Sequence, residues 1–97
     1  MHHLFAVTRI RGAAWDQTLP MEAQACWREH ADFMNALHED GFVILGGPLT
    51  GTSEILLVIR ADRSDDVRTK LAADPWSKIG LLTIARIESW ELRLGSF

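Results

Sequence analysis

The chain has 97 residues, 47% of them apolar, and a formal net charge of −3. That length leaves room for one core and one domain spanning 1–97, and the composition is that of a folded globular chain rather than a disordered one. Its ten Lys and Arg residues are scattered and form no basic stripe for nucleic acid. A single cysteine, Cys26, excludes an internal disulfide and a thiolate metal cluster. No apolar run approaches the eighteen or so residues of a membrane span. The start, Met1-His2-His3, leads directly into an apolar strand with no cleavable leader pattern, so the expected setting is the cytoplasm.

Residues 4–11 (LFAVTRIR) are rich in β-formers and end at Gly12, which predicts a first strand. Residues 12–19 form a loop carrying Trp15 and Asp16, either an edge over a site or a packed connection. Pro20 suits the first turn of a helix. The helix is expected to run to Asp40 and stop at Gly41, a residue that accepts the left-handed conformation of a helix end. Ala23, Cys26, Trp27, Phe33, Met34 and Leu37 recur at three- and four-residue steps, the period of one buried helical face. Residues 42–49 (FVILGGPL) and 54–61 (EILLVIRA) read as two strands joined by a turn at 50–53. Asp62 or Ser64 caps a second helix, with Asp65 and Asp66 in its first turn favourable to the helix dipole. Val67, Leu71 and the stem of Lys70 face inward, and the helix ends near Ala73. Asp74-Pro75-Trp76 opens another short turn, and residues 81–94 form a long fourth strand.

The order β-α-β-β-α-β predicts a split βαβ arrangement, an α+β fold with both helices on one face of a four-stranded antiparallel sheet. An antiparallel sheet with one wet face alternates apolar and polar residues. FVIL and EILLVI are apolar at almost every position, so the second face also needs cover. A second copy of the chain, packed sheet to sheet, supplies it, and a homodimer is expected.

His30 lies on the apolar stripe, three residues after Trp27 and four before Met34. Burying a polar group without a partner costs roughly 1–3 kcal/mol, so His30 requires one. It is either a core histidine bonded to a backbone carbonyl or a general acid/base oriented by a carboxylate. Asp74 is the preferred carboxylate, although Asp-Pro is also a helix-start signal. Trp27 and Trp76 then stand beside the pair as apolar walls. Gly46-Gly47-Pro48 ends a strand where the backbone is open to a ligand, or forms a bulge into the hairpin. Arg9 and Arg11 share one face of the first strand. Arg9 either holds an anionic ligand or pairs with Glu88 or Glu91. His38 lies on a different helical face from His30, which disfavours a shared metal site, and no other cluster has metal-ligand spacing. Cys26 reads as a small buried core residue.

These residues resemble the YciI-like (YCII-related) family over nearly the whole chain. The resemblance rests on the helix with His30 and Leu37, Gly46-Gly47-Pro48-Leu49 before a hairpin, Asp74-Pro75-Trp76 after the second helix, and Trp90 on the late strand. It implies a ferredoxin-like dimeric α+β barrel and a His-Asp pair in a pocket, at His30 and Asp74. Relatives of the fold include isomerases, dehydrochlorinases and cofactor-free monooxygenases. The long loop 12–19 departs from short members of the family. The expected function is a cofactor-independent small-molecule enzyme. His30 and Asp74 would transfer a proton in a lyase, isomerase or dehydrochlorinase step, with Arg9, Trp27, Gly46, Gly47, Pro48 and Trp76 around the substrate. The alternative is a binding protein that holds a metabolite in the same dimer pocket. A heme- or flavin-assisted oxygenase is a third reading, which no residue pattern requires.

Overall fold

The computed structural model describes residues 2–97. Its strands are β1 (His3–Arg11), β2 (Val43–Pro48), β3 (Glu54–Ala61) and β4 (Leu82–Ser89), and its helices are α1 (Trp27–Glu39), α2 (Ser64–Ala72) and α3 (Pro75–Lys78). The sheet order is β2-β3-β1-β4 with every neighbouring pair antiparallel. This is the ferredoxin-like topology, with the two most apolar strands in the centre.

Alternation along β1 assigns Phe5, Val7, Arg9 and Arg11 to one face. Phe5 and Val7 join Ile59 of β3, Leu37 of α1, and Val67 and Leu71 of α2 in one core cluster. Both long helices therefore cover the same face. The opposite face carries Leu4, Ala6, Thr8 and Ile10, paired with Arg60, Val58, Leu56 and Glu54 of β3. After β4 the chain brings the Phe97 ring within 5.5 Å of the Arg60 guanidinium.

Five expectations require correction. The first helix does not begin at Pro20. Met21–Ala23 is a short 3-10 turn, Gln24 is extended, and α1 starts at Trp27. The buried Gln24 side chain accounts for the break. Its Oε1 accepts from the Asp16 amide, and its Nε2 donates to the carbonyls of Asp16 and Leu19, tying the segment to the preceding loop. Cys26 is exposed rather than buried and takes a left-handed conformation (φ 60°) just before the helix. Arg63, without a side-chain capping bond, occupies the cap position of α2, and Lys70 is exposed with its ammonium over the Phe42 ring. β4 ends at Ser89, five residues short of the predicted strand end. Among the described residues, no helix is long and apolar enough to cross a membrane.

Candidate functional site

The site lies where α1, α3 and the inward face of β1 meet. His30 enters from the first turns of α1 because the helix buries the face that carries Leu37. Asp74 enters from the start of α3. Its carboxylate accepts from the Trp76 amide at 3.0 Å, so the Asp-Pro-Trp sequence folds as a capped helix turn with Pro75 in the first position. The same carboxylate meets His30 Nδ1, with both oxygens at 2.9 Å. The helix-cap and histidine-partner readings of Asp74 are thus satisfied together.

Arg9 completes the cluster from β1. Its guanidinium donates to Asp74 Oδ2 at 2.9 Å and to Ser77 Oγ at 2.7 Å, and Ser77 Oγ in turn donates to the Leu71 carbonyl. Arg9 is 1% exposed and Asp74 0%. This is a buried ion pair whose charges are balanced inside the protein. Burial alone would push the Asp74 carboxyl up. Hydrogen bonds from His30 and the Trp76 amide, the His30 charge and the Arg9 guanidinium outweigh it, and hold the group below its ordinary value of 3.8. An ionised carboxylate only accepts hydrogen bonds, so His30 Nδ1 donates to Asp74, and Nε2 is the ring nitrogen without a protein partner.

Aromatic rings fix the imidazole plane. His30 stacks on Trp76 with centroids 3.8 Å apart and planes 6° from parallel. Trp76 is fully buried, and its Nε1–H donates to the Ala25 carbonyl at 2.6 Å. Trp27 leans on Trp76 at 5.7 Å, and Trp15 meets it edge to face at 5.3 Å.

A cavity of about 580 Å³ opens in front of the imidazole, between α1 and the β2 end of the sheet. Trp15, Trp27, Met34, Ile55, Leu57 and Trp76 give it a largely apolar wall. Gly46, Gly47 and Pro48 border it, and Gly46 also packs so closely that a Cβ there would lie 2.6 Å from Leu57 Cδ2. Of the expected residues, Arg9, Trp27, His30, Gly46, Gly47, Pro48 and Trp76 line this cavity, and Asp74 lies behind His30 and Arg9. The anion that Arg9 holds is Asp74, and neither Glu88 nor Glu91 pairs with it. His38 is bonded through Nδ1 to the Val43 carbonyl at 2.8 Å. Of the two readings of the loop with Trp15, an edge over a site or a packed connection, the structure places Trp15 in the cavity wall, whereas sequence reasoning missed Ser77 and Gln24. Those two carried no signal beyond their polarity.

No family model matches the chain, and no curated protein matches it by sequence. Among solved structures it is similar to the 5-chloro-2-hydroxyhydroquinone dehydrochlorinase TftG from Burkholderia phenoliruptrix AC1100, solved in complex with 2,5-dihydroxybenzoquinone. The TM-score is 0.58 and the identity 22%, over 95% of each chain. It is also similar to a structural-genomics protein, YJCS, with a TM-score of 0.60 and 11% identity over 96% of this chain and all of that one. At these identities the likeness establishes a shared fold.

Proposed function

We propose that the chain is a YciI-like, cofactor-independent small-molecule enzyme in which His30 is the general acid/base and Asp74 its orienting carboxylate. The observation that carries this reading is the bond from Nδ1 to Asp74, which leaves Nε2 without a protein partner on a residue that lines a walled cavity. Nε2 takes a proton from a substrate hydroxyl or from a carbon beside a carbonyl. The electron pair left behind either expels a halide, as the dehydrochlorinase named above does with its chlorinated hydroquinone, or delocalises as an enolate that is reprotonated elsewhere. The imidazolium formed is stabilised by Asp74 at 2.9 Å. Trp27 and Trp76 exclude water and flank a planar substrate, and the backbone at Gly46 and Gly47 leaves space along its edge.

The function is proposed for a homodimer packed sheet to sheet. Ala6, Ile10 and Leu56, part-exposed on the face opposite the helices, support this, as do exposed Leu45 (65%) and Leu94 (88%). A second reading, a metabolite-binding protein, is favoured by the full structural employment of Asp74, which caps α3 and neutralises Arg9. Chlorinated and unchlorinated hydroxyhydroquinones incubated in deuterated buffer separate the two. Halide release or carbon–deuterium exchange that falls about 100-fold or more in His30→Gln supports the enzyme. Binding of the panel without conversion supports the binding protein.

A further inference from the structure

The geometry points to Arg11 as the residue that selects the substrate's charge, which makes the natural ligand a planar anion, a carboxylate or ionised enol. This inference rests on the cavity being a small-molecule site, and it holds whether or not His30 is catalytic. Arg9 and Arg11 are consecutive inward residues of β1, yet their circumstances are opposite. Arg9 is neutralised by Asp74. Arg11 takes part in no ion pair and no side-chain hydrogen bond among the described residues, and its Nε, like that of Arg9, is buried without a partner. Its guanidinium lies 4.5 Å over the Trp15 ring. That contact holds the plane of the group while leaving its in-plane N–H donors uncommitted.

Arg11 also stands at a junction. With Trp15 and Met21 it lines both the cavity in front of His30 and a second one, of about 560 Å³, bounded by Gly12, Gln17, Thr52 and Ser53. No Asp or Glu among the described residues lines either cavity. Because the Arg9–Asp74 pair is neutral as a unit, Arg11 is the uncompensated charge of the site. A carboxylate at its fork would satisfy the orphaned Nε and gain two parallel charge-assisted bonds. The rest of such a ligand would extend along Trp15 and Trp76 toward the His30 imidazole, against walls that offer apolar contact. A neutral ligand of the same shape would leave the arginine unpaired.

The test is a pair of isosteric probes, benzoate and benzamide, titrated against the whole protein. The readouts are tryptophan fluorescence and the Arg11 Nε–H resonance. The wild-type chain is expected to bind benzoate at least about tenfold more tightly than benzamide, as one charged hydrogen-bonded contact implies. The Nε–H signal should shift with benzoate alone. Arg11→Gln should abolish the preference by weakening benzoate and not benzamide, Arg11→Lys should keep part of it, and His30→Gln should keep it whole. Equal affinities in the wild type, no benzoate binding at millimolar concentration, or a preference that survives Arg11→Gln overturns the assignment. Loss of halide release in His30→Gln with the preference intact separates this inference from the catalytic one.

Discussion

The inward face of β1 crosses two halves of the same layer. Phe5 and Val7 look into a closed, entirely apolar core with Ile59, Val67 and Leu71. The next two inward residues, Arg9 and Arg11, look into the half that holds the ion pair and the cavity. The closed half needs only shape and apolar volume. The open half admits charge under strict terms, since the Asp74 carboxylate is met by Arg9, His30 and the Trp76 amide. His30 Nε2 and the Arg11 guanidinium are the groups left for a ligand. A strand can therefore carry a core and a site on one face, provided that the first charge it buries arrives with its partner.

The largest effect separating the halves is expected from the ion pair. Leu71→Ala in the closed half should lower stability by about 2–5 kcal/mol through the cavity it leaves. Asp74→Asn should lower it by a comparable 3–5 kcal/mol for a different reason, because Arg9 keeps a buried charge with no counter-ion. The distinction is reversibility. Adding Arg9→Met should recover much of the Asp74→Asn loss and none of the Leu71→Ala loss, measured as urea unfolding in a double-mutant cycle. An Asp74→Asn defect that Arg9→Met does not relieve would mean that the two halves are held together in the same way.

A smaller effect is expected from acid. The folded Asp74 carboxyl is depressed below its ordinary 3.8. Its contribution is therefore fully present above that value and disappears as pH falls through the lower folded value. The wild-type chain should lose stability steeply below about pH 4, whereas the Arg9→Met/Asp74→Asn chain should lose distinctly less over the same interval. Superimposable acid profiles would remove Asp74 from the acid response.

The fold was legible because its signals are local and redundant. The periods of β1, β2 and β3, Gly41, and the Asp-Pro start of α3 each mark an element. His30 was legible as a polar residue on an apolar stripe, which demanded a partner. The fate of Arg9 was not, because alternation gives the face of a residue but not what lies across it. The start of α1 was misjudged for a related reason. Pro20 favours a helix locally, but the three hydrogen bonds of Gln24 to the preceding loop and the bond from Trp76 to the Ala25 carbonyl hold the chain open there. Those contacts span up to 51 residues and leave no periodic trace.

The most direct test of the His30 assignment needs no substrate. The ring nitrogens of His30 are observed by ¹⁵N NMR above neutral pH, assigned by their absence in His30→Gln. The account predicts a protonated Nδ1 bonded to Asp74 and an unprotonated Nε2 whose resonance responds to ligands entering the cavity. A proton found on Nε2 instead would contradict it, because the imidazole would then present a donor to the cavity and have no lone pair with which to act as a base.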